Sequence, residues 1–341
     1  MISVNEAINT LLAGSHRLVE TETVPLGSAR GRTLAADLAS PLDVPPADNS
    51  AMDGYALRHA DWPGPESELP IGLRITAGTA PGELAPGKAA RIFTGAEVPQ
   101  GADTVVMQEN CEGTDTTVRI LELPARGANI RPRGQDVKLG QTVLRAGQRL
   151  RPQEVGLAAS LGAPELPVFK RLRVAVLSTG DELVEPGSEA GPGQIYNSNR
   201  YTMNAQLAAW GFEVIDLGVA RDDFEAVRSR MLEAAEAADV IVTSGGVSVG
   251  EEDHVKAVVA SLGSLDLWRI SVKPGKPFAF GQVRGTPFLG LPGNPVSVFV
   301  TLLVIARSYL FACQGISDRS VQALPAKALF SRKRTMREDY M

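Results

Sequence analysis

The spacing of apolar residues along the chain changes near residue 170. Before that point, short apolar runs are separated by turns rich in Gly and Pro, a pattern typical of short β-strands. After it, apolar runs of strand length alternate with longer stretches of helical spacing. Such alternation predicts βαβ units, and therefore an α/β fold with a mostly parallel sheet.

Two apolar runs in the second half, RVAVL at 173–177 and DVIVT at 239–243, are continuous rather than alternating. Continuous runs suit strands that are covered by helices on both faces. The pattern also predicts a strand at 213–219, strands in FAFGQV and TPFLGLPG, helices at 199–212, 222–238 and 253–263, and an apolar helix from Pro295.

The first half carries strand-like runs in IGLRIT, AARIFTG, TVVMQEN and TTVRIL. Ser3 and Glu6 have the spacing of a capping box, which predicts an amphipathic helix near the N-terminus. The segment PPADNSAMDGYAL at 45–57 combines two prolines with crowded polar residues. From these residues alone we interpret it as a rigid turn.

The composition is that of an ordinary globular protein, with 44% hydrophobic and 21% charged residues among 341. This length predicts about two or three domains. The net charge of −5 argues against general binding of nucleic acid or anionic membranes, although a local basic pocket stays compatible with it. Two distant cysteines and three scattered histidines argue against a zinc site or a Ser-His-Asp triad.

The most apolar run extends from Val296 to Ala306 and ends at Arg307. It is shorter than the roughly 20 residues that a bilayer span needs, so we expect a buried core helix and no membrane partner. The N-terminal residues lack the basic and long apolar regions of a signal peptide. These features together predict a cytoplasmic protein.

Glycines and hydroxyl residues follow several predicted strands. In an open α/β sheet, ligands bind beyond the carboxyl ends of the strands. Glycines there let backbone N–H groups approach an anion, and serines add hydroxyl donors. A turn that merely requires glycine is the alternative. The candidates are Ser178, Thr179 and Gly180, then Ser244, Gly245, Gly246 and Ser248, and finally Pro292, Gly293, Asn294 and Pro295.

Lys273 and Lys276 lie between prolines in KPGKP, at a predicted strand end. The prolines limit the entropy lost when the ammonium groups are held at a ligand, and lysine suits phosphate or another oxyanion. A solvated surface pair is the alternative.

Carboxylates gather near the same strand ends, at Glu182, Asp222 and Asp253. Acids beside a phosphate cradle suit Mg²⁺, because this ion takes one or two carboxylates and bridges to phosphate oxygens. Helix capping is the alternative for Asp222 and Asp253, since each precedes a predicted helix. Three glycine turns of the first half add Asp53, Thr94 and Asp136 as candidates, although the residues alone favour plain turns.

Seven of these segments occur in one order: SAMDGYA, RIFTGAEVP, NIRPRGQDV, LSTGDEL, SGGVSVGEED, KPGKPFAFG and LPGNPVS. In this order and spacing they resemble the molybdopterin molybdenumtransferases, the family of bacterial MoeA and the gephyrin E domain. The resemblance implies an enzyme that inserts molybdate into adenylated molybdopterin, with Mg²⁺-dependent release of AMP.

The resemblance also implies roles for individual residues. It assigns Glu182 and Asp253 to the metal or its waters, the two lysines to phosphate or molybdate, and Ser244 to Gly246 to the pterin phosphate or pyrophosphate. The residues that it places in one cleft are Asp53, Thr94, Asp136, Glu182, Asp222, Asp253, Lys273, Lys276, Pro292 and Pro295.

The implied architecture is an α/β multidomain protein. It has a MogA-like, three-layer βαβ domain at 170–320, a small β-rich domain at 46–136, and a linker and dimerisation domain formed by 1–45 and 137–169. Segment 321–341 resembles the start of a C-terminal β domain that we expect to be largely missing. Members of the family are homodimers whose active site forms between the βαβ domain of one subunit and the small β domain of the other. A molybdopterin adenylyltransferase is the implied partner.

Two other functions stay open. Molybdopterin adenylyltransferases and CinA-type nucleotide hydrolases also resemble residues 171–315, but the adenylyltransferases lack the half that contains SAMDGYA. The third possibility is a non-catalytic dimeric scaffold, which the absence of a visible disordered linker or extra partner domain makes less favoured.

Overall fold

A computed structural model of the chain describes residues 1–246, 254–320, 324–327, 329–331 and 338–339. The chain forms two compact units, one of Met1–Ala36 with Arg145–Met341 and one of Asp37–Leu144. We call them the α/β unit and the β unit. The finer division into four domains stays a prediction.

The α/β unit is built on a six-stranded sheet whose first four strands are parallel and whose last two are antiparallel. The predicted mostly parallel sheet is thereby confirmed. The edge strand Gly263–Arg269 was not predicted from the sequence, because only two leucines contribute to its alternation of apolar and polar residues. Across the sheet the strands are Glu213–Ala220, Arg173–Thr179, Val240–Ser244, Thr286–Leu291, Pro277–Val283 and Gly263–Arg269.

Helices cover both faces of this sheet, as the continuous apolar runs predict. Val176 belongs to the core cluster that contains Met203 and Leu207, whereas the next residue, Leu177, belongs to the cluster that contains Val227. Successive side chains of a strand point to opposite faces, which gives three layers. The helices of this unit are Val4–Ala13, Pro152–Ser160, Ser198–Ala209, Phe224–Ala237, His254–Leu262 and the last helix, Pro295–Gln314.

The last helix has the length and apolar composition of a membrane span, and its turn Leu302–Ala306 is π-helical. However, 78% of its most apolar stretch is buried inside the protein. It supplies Val298, Leu302 and Leu310 to the same core as the parallel strands. The helix therefore serves as a core helix, as the sequence predicts.

Helix caps confirm one prediction and correct another. Ser3 and Glu6 form the expected capping box, in which Ser3 N donates to Glu6 Oε2 at 2.7 Å. The predicted N-cap Asp222 is wrong: the helix Phe224–Ala237 is capped by Asp223, whose carboxylate accepts from Ala226 N at 2.9 Å. A cap must lie one residue before the first helical turn, and sequence alone does not resolve adjacent aspartates.

The β unit contains a second six-stranded sheet. The strands predicted in its IGLRIT, AARIFTG, TVVMQEN and TTVRIL runs are present. The interpretation of 45–57 as a turn is wrong in part, because Gly54–Leu57 is a central strand and its four residues are all buried. Because the residues of this strand are buried on both faces of the sheet, the sequence shows no alternation of apolar and polar residues that would have predicted a strand. Across the sheet the strands are Thr104–Met107, Gly54–Leu57, Ala89–Ile92, Glu68–Ile75, Thr117–Ile120 and Cys111–Gly113.

Short strand pairs complete the described structure. They are Thr21–Pro25 with Glu165–Phe169, Leu38–Ala39 with Thr142–Leu144, Asn49–Ser50 with Ile130–Arg131, Leu183–Val184 with Ile195–Tyr196, and Val272–Lys273 with Glu338–Asp339.

Candidate functional site

The candidate loops of the α/β unit leave neighbouring strands at one edge of the sheet. Register pairs Ser178 with Ser244, and Ser244 with Leu291, while Thr179 pairs with Ala220. Because these strands are parallel, the segments that follow them emerge side by side at the carboxyl edge. Most of the predicted α/β-unit candidates are therefore brought to one edge.

Gly245 lies where three of these loops meet. Its N–H donates to Leu291 O at 3.2 Å, and a Cβ placed on it would stand 3.0 Å from Thr179 O. Its φ of 89° is in the left-handed region, which disfavours other residues. The position that a Cβ would take on Gly293 is 3.8 Å from Gly245 Cα. Glycine is thus required here to bring three backbones within contact.

Buried hydroxyls join the strand ends below this contact. Ser178 and Ser244 are almost fully buried, and their Oγ atoms are 3.3 Å apart. Ser178 Oγ also donates to Asn197 Oδ1 at 3.4 Å. The two hydroxyls therefore fix the relative positions of the strand ends from which the glycine loops start.

Two asparagines that the sequence analysis did not single out complete this edge. Asn197 caps the helix Ser198–Ala209 by accepting from Arg200 N at 3.2 Å. Asn199 Nδ2 donates to Gly293 O at 2.8 Å, whereas its buried Oδ1 has no partner among the described residues. An asparagine just before a predicted helix is a cap signal, which could have identified Asn197. Nothing local could have identified the Asn199 contact.

Acidic side chains lie on the same edge. The carboxylate of Glu182 folds back over Gly180 and occupies the space that a Cβ on Gly180 would take. Asp181 Oδ1 accepts from Asp222 N at 3.1 Å, which holds the segment after the strand Glu213–Ala220 against the segment after Arg173–Thr179. Because Asp223 provides the helix cap, the exposed carboxylate of Asp222 is not used for capping.

The donor chemistry of this edge fits a hard cation. The described residues contain no group of three or more metal-binding side chains. Mg²⁺, however, needs only one or two carboxylates when phosphate oxygens and waters fill its other positions. The exposed carboxylate of Glu182, next to a glycine backbone, fits that requirement. Ser248 and Asp253 lie outside the described residues.

The lysine loop extends this edge toward the antiparallel side of the sheet. It joins Gly263–Arg269 to Pro277–Val283, and Ile270 N donates to Lys276 O at 2.8 Å across its base. Gly275 packs on the last helix, since a Cβ there would lie 2.7 Å from Thr301 Cγ2. Lys273 is half-buried and Lys276 is exposed, and neither forms an ion pair within the described residues.

The last helix begins at this edge with the predicted proline at its first position. Asn294 is its N-cap and accepts from Ser297 N at 3.2 Å. The Asn294 side chain is therefore engaged in capping. Pro292 is buried, while Gly293 and Pro295 are exposed. The exposed N-terminus carries partial positive charge, which favours an anion.

The β unit gathers its own candidates. Asp53 Oδ1 accepts from both the backbone N and the Oγ1 of Thr94, each at 2.7 Å. The Thr94 backbone and hydroxyl bonds, together with the charge of Arg91, hold the pKa of Asp53 below its usual value. Asp53 stands just before the strand Gly54–Leu57, where Gly54 packs directly on the Val106 backbone. The motif places an ionised carboxylate at an exposed loop.

The β-unit segment NIRPRGQDV lies next to the segment that contains Asp53. Ser50 pairs with Ile130, and Ser50 N donates to Ala96 O at 2.9 Å, so the loops that contain Asp53, Thr94 and NIRPRG meet. Asp136 N donates to Val44 O at 2.9 Å, and its side chain is exposed. The structure thus brings Asp53 and Thr94 into direct contact and shows no such contact for Asp136.

Two family models match the chain. The model described as "MoeA N-terminal region (domain I and II)" matches residues 2–162. The model described as "Probable molybdopterin binding domain" matches residues 175–312.

Similar proteins agree with these matches. A molybdopterin molybdenumtransferase of Haemophilus influenzae is 43% identical over 92% of this chain and 78% of its own length. One of Nostoc sp. is 41% identical over 83% of this chain and 67% of its own length. The structure of a molybdopterin biosynthesis MoeA protein from Pyrococcus horikoshii OT3 matches with a TM-score of 0.81 at 32% identity, covering 94% of this chain and 81% of that one.

Proposed function

This chain belongs to the molybdopterin molybdenumtransferase family, and we propose that it inserts molybdate into adenylated molybdopterin with release of AMP. One observation carries the proposal. The loops after three parallel strands meet at Gly245, beside an exposed helix N-terminus, and the same edge carries a loop whose two lysines form no ion pair within the described part of the chain. This collection of backbone donors and cations suits a substrate that carries several phosphate and oxyanion groups.

The proposed reaction divides among the residues of this edge. Ser244, Gly245 and Gly246 are proposed to lie against the pterin phosphate or pyrophosphate, and Lys273 and Lys276 to bind phosphate or molybdate. The bond to AMP breaks as a water oxygen takes its place on the pterin phosphorus, and the protons of that water pass to the phosphate products or to solvent. Molybdate loses one oxide when the two dithiolene sulfurs bind the metal, and that oxide leaves as water with the two thiol protons, so no oxidant or reductant is needed.

Glu182, together with Asp253, is proposed to hold Mg²⁺ or its waters. The Glu182 carboxylate supports this role because it is exposed over the glycine loop rather than ion-paired within the described residues. Mg²⁺ would neutralise charge on the phosphate oxygens of the substrate. Asp222 and the β-unit residues Asp53, Thr94 and Asp136 are proposed to line the same active site.

The remaining parts of the proposal concern assembly and location. We propose a cytoplasmic homodimer whose active site forms between subunits, and which receives its substrate from a molybdopterin adenylyltransferase. It needs neither nucleic acid nor a membrane as a partner.

The test is AMP release from adenylated molybdopterin, measured with and without molybdate and Mg²⁺. Release that depends on both and occurs without ATP supports the proposal. ATP-dependent adenylation of molybdopterin would instead indicate an adenylyltransferase. Absence of all turnover in a stable dimer would indicate a scaffold.

Glu182→Gln tests the metal role. The amide keeps the shape but removes the charge, so AMP release should fall by at least about a hundredfold, with an unchanged melting temperature. Glu189→Gln, an exposed glutamate in the following loop, is the matched control and should retain activity. Wild-type turnover of the Glu182 variant would show that the metal assignment is wrong.

Lys276→Ala tests the oxyanion role. We expect the concentration of molybdate that gives half-maximal AMP release to rise by about tenfold or more, because one charged hydrogen bond is lost. An unchanged molybdate dependence would remove Lys276 from the molybdate site.

A further inference from the structure

A cavity of about 630 Å³ opens in the α/β unit on the side opposite the glycine loops. Trp210 lies in its wall, three residues before the start of the strand Glu213–Ala220, so the cavity lies at the amino edge of the sheet. None of the residues proposed for the molybdenum-insertion site lines it. We call it the arginine cavity.

Its lining is strongly basic, although the protein as a whole has a net charge of −5. Four arginines and one carboxylate, Asp318, line it. One of these arginines, Arg151, is ion-paired with Glu154 at 2.5 Å. Burial lowers the pKa of Arg307, and the negative charge of Asp318 offsets this only in part. Arg30 and Arg149 have no carboxylate partner among the described residues. The cavity thus carries local excess positive charge.

Arg149 is the most informative of these side chains. It is half-buried, and its Nη2 donates to Ala209 O, a neutral carbonyl, at 2.9 Å. Burial, and then the neighbouring charges of Arg171 and Arg307, lower its pKa. Half-buried like charges are unfavourable unless a counter-ion accompanies them. Since a guanidinium has five N–H donors, most of those on Arg149 stay available to a ligand.

Arg307 is held in place before any ligand binds. Its guanidinium stacks 4.2 Å from the Phe311 ring centroid, and its Nη1 donates to Ser320 O at 2.6 Å. Both contacts are with neutral groups, so they orient the charge without neutralising it. A preorganised arginine loses little entropy when it binds an anion.

We infer that the arginine cavity is a second anion site, which binds a tetrahedral dianionic oxyanion, either free or as a phosphate monoester. Arginine forks match the oxygens of such groups. The volume exceeds what a single oxyanion needs, and Trp210 and Phe311 offer an apolar wall for a larger group on the ester. The arginine cavity is separate from the proposed active site, so anion binding there does not depend on the chemistry of that site.

Trp210 provides a local reporter for this site. The chain has three tryptophans, so Trp62→Phe with Trp268→Phe leaves Trp210 as the sole indole. The variant that carries both tryptophan substitutions is titrated with sodium phosphate, sulfate, molybdate or AMP at constant ionic strength, with chloride as the balancing anion. We expect a saturable change in Trp210 emission with the oxyanions and none with chloride.

Variants assign the response to the arginines. Arg149→Gln should weaken phosphate binding by about tenfold or more, and the exposed Arg30→Gln should weaken it by a smaller factor. Arg230→Gln removes the same charge from a surface pair with Glu233 and should have no effect. Lys276→Ala should also leave this response unchanged, which separates it from binding at the proposed active site.

The relative affinities for AMP and phosphate identify the ligand of the arginine cavity. Tighter binding of AMP than of phosphate identifies phosphate monoesters as the ligands, and equal or tighter binding of phosphate identifies the free oxyanion. No saturable change with any anion, or wild-type affinity in both arginine variants with unchanged circular dichroism, would overturn the inference.

Discussion

Asp53 accepts two hydrogen bonds from Thr94, although the two residues are 41 positions apart in the chain. The local sequence indicated each of them only as a polar loop residue beside glycine and favoured a plain turn over a site. The direct contact arises because the strands Gly54–Leu57 and Ala89–Ile92 are neighbours in the sheet. Such a pairing depends on tertiary structure, which is why residue-level reasoning did not reach it.

The lowered pKa of Asp53 predicts a pH dependence of stability. Its usual value is 3.8, and the Thr94 bonds lower it in the folded protein. The carboxylate therefore stabilises the fold above about pH 3.8, and this contribution is lost as the pH falls through the lower folded value. Asp53→Asn keeps the shape but loses the charge, so it should be less stable at pH 7.

Melting temperatures measured from pH 7 to pH 3 check this prediction. The difference between wild type and Asp53→Asn should shrink in the acid range. Asp115→Asn, an exposed aspartate of the same unit, serves as the control and should match wild type throughout. A difference for Asp53→Asn that stays constant with pH would contradict the proposed cause.

At the scale of elements, the adjacent residues Asp222 and Asp223 divide two tasks. Asp223 caps the helix Phe224–Ala237, while Asp222 contacts Asp181 through its backbone. Either aspartate could have been the cap by sequence. The structure distinguishes them because Asp223 has the extended backbone geometry that precedes the first helical turn, with φ −134° and ψ 138°, and its carboxylate accepts from Ala226 N.

This division of roles predicts that two alanine substitutions affect different properties, Asp223→Ala the stability and Asp222→Ala the activity. Asp223→Ala should lower the free energy of unfolding by about 1 kcal/mol, because the bond to Ala226 N is lost. Asp222→Ala should change it by no more than about 0.5 kcal/mol but should lower the rate of AMP release. Urea unfolding and turnover assays measure the two effects. Equal destabilisation by both variants would show that the cap assignment is incomplete.

The strand Gly54–Leu57 and the edge strand Gly263–Arg269 show where element prediction fails. Alternation indicates a strand only when one face is polar, and a strand of four buried residues has no polar face. The long apolar runs at 173–177 and 239–243 were predicted correctly, because continuous β-branched residues bounded by turns leave few alternatives. Burial on both faces therefore concealed the short strand Gly54–Leu57, whereas Gly263–Arg269 was not predicted because only two leucines alternate in it.

For the whole molecule, each compact unit has cores of its own. Leu57 is fully buried in a hydrophobic cluster of the β unit, and Leu207 is fully buried in a hydrophobic cluster of the α/β unit. Multidomain proteins often depart from two-state unfolding. We therefore expect calorimetry to resolve two thermal transitions.

Matched substitutions test that expectation. Leu57→Ala and Leu207→Ala each remove a buried side chain and should cost about 2–5 kcal/mol. Each should shift only one of the two transitions. Leu139→Ala is the control, since Leu139 is 61% exposed. Movement of both transitions by either core variant would show that the units unfold together.

The sequence by itself determined the α/β class, the parallel strands, the capping box and the glycines at the strand ends. These features depend on local periodicity and on backbone geometry that few residues tolerate. Only the tertiary structure decided that Gly245 meets Thr179 and Gly293, and that Arg30, Arg149 and Arg307 share one cavity. Contacts between residues so far apart follow from strand order and helix packing, which no local stretch of the chain encodes.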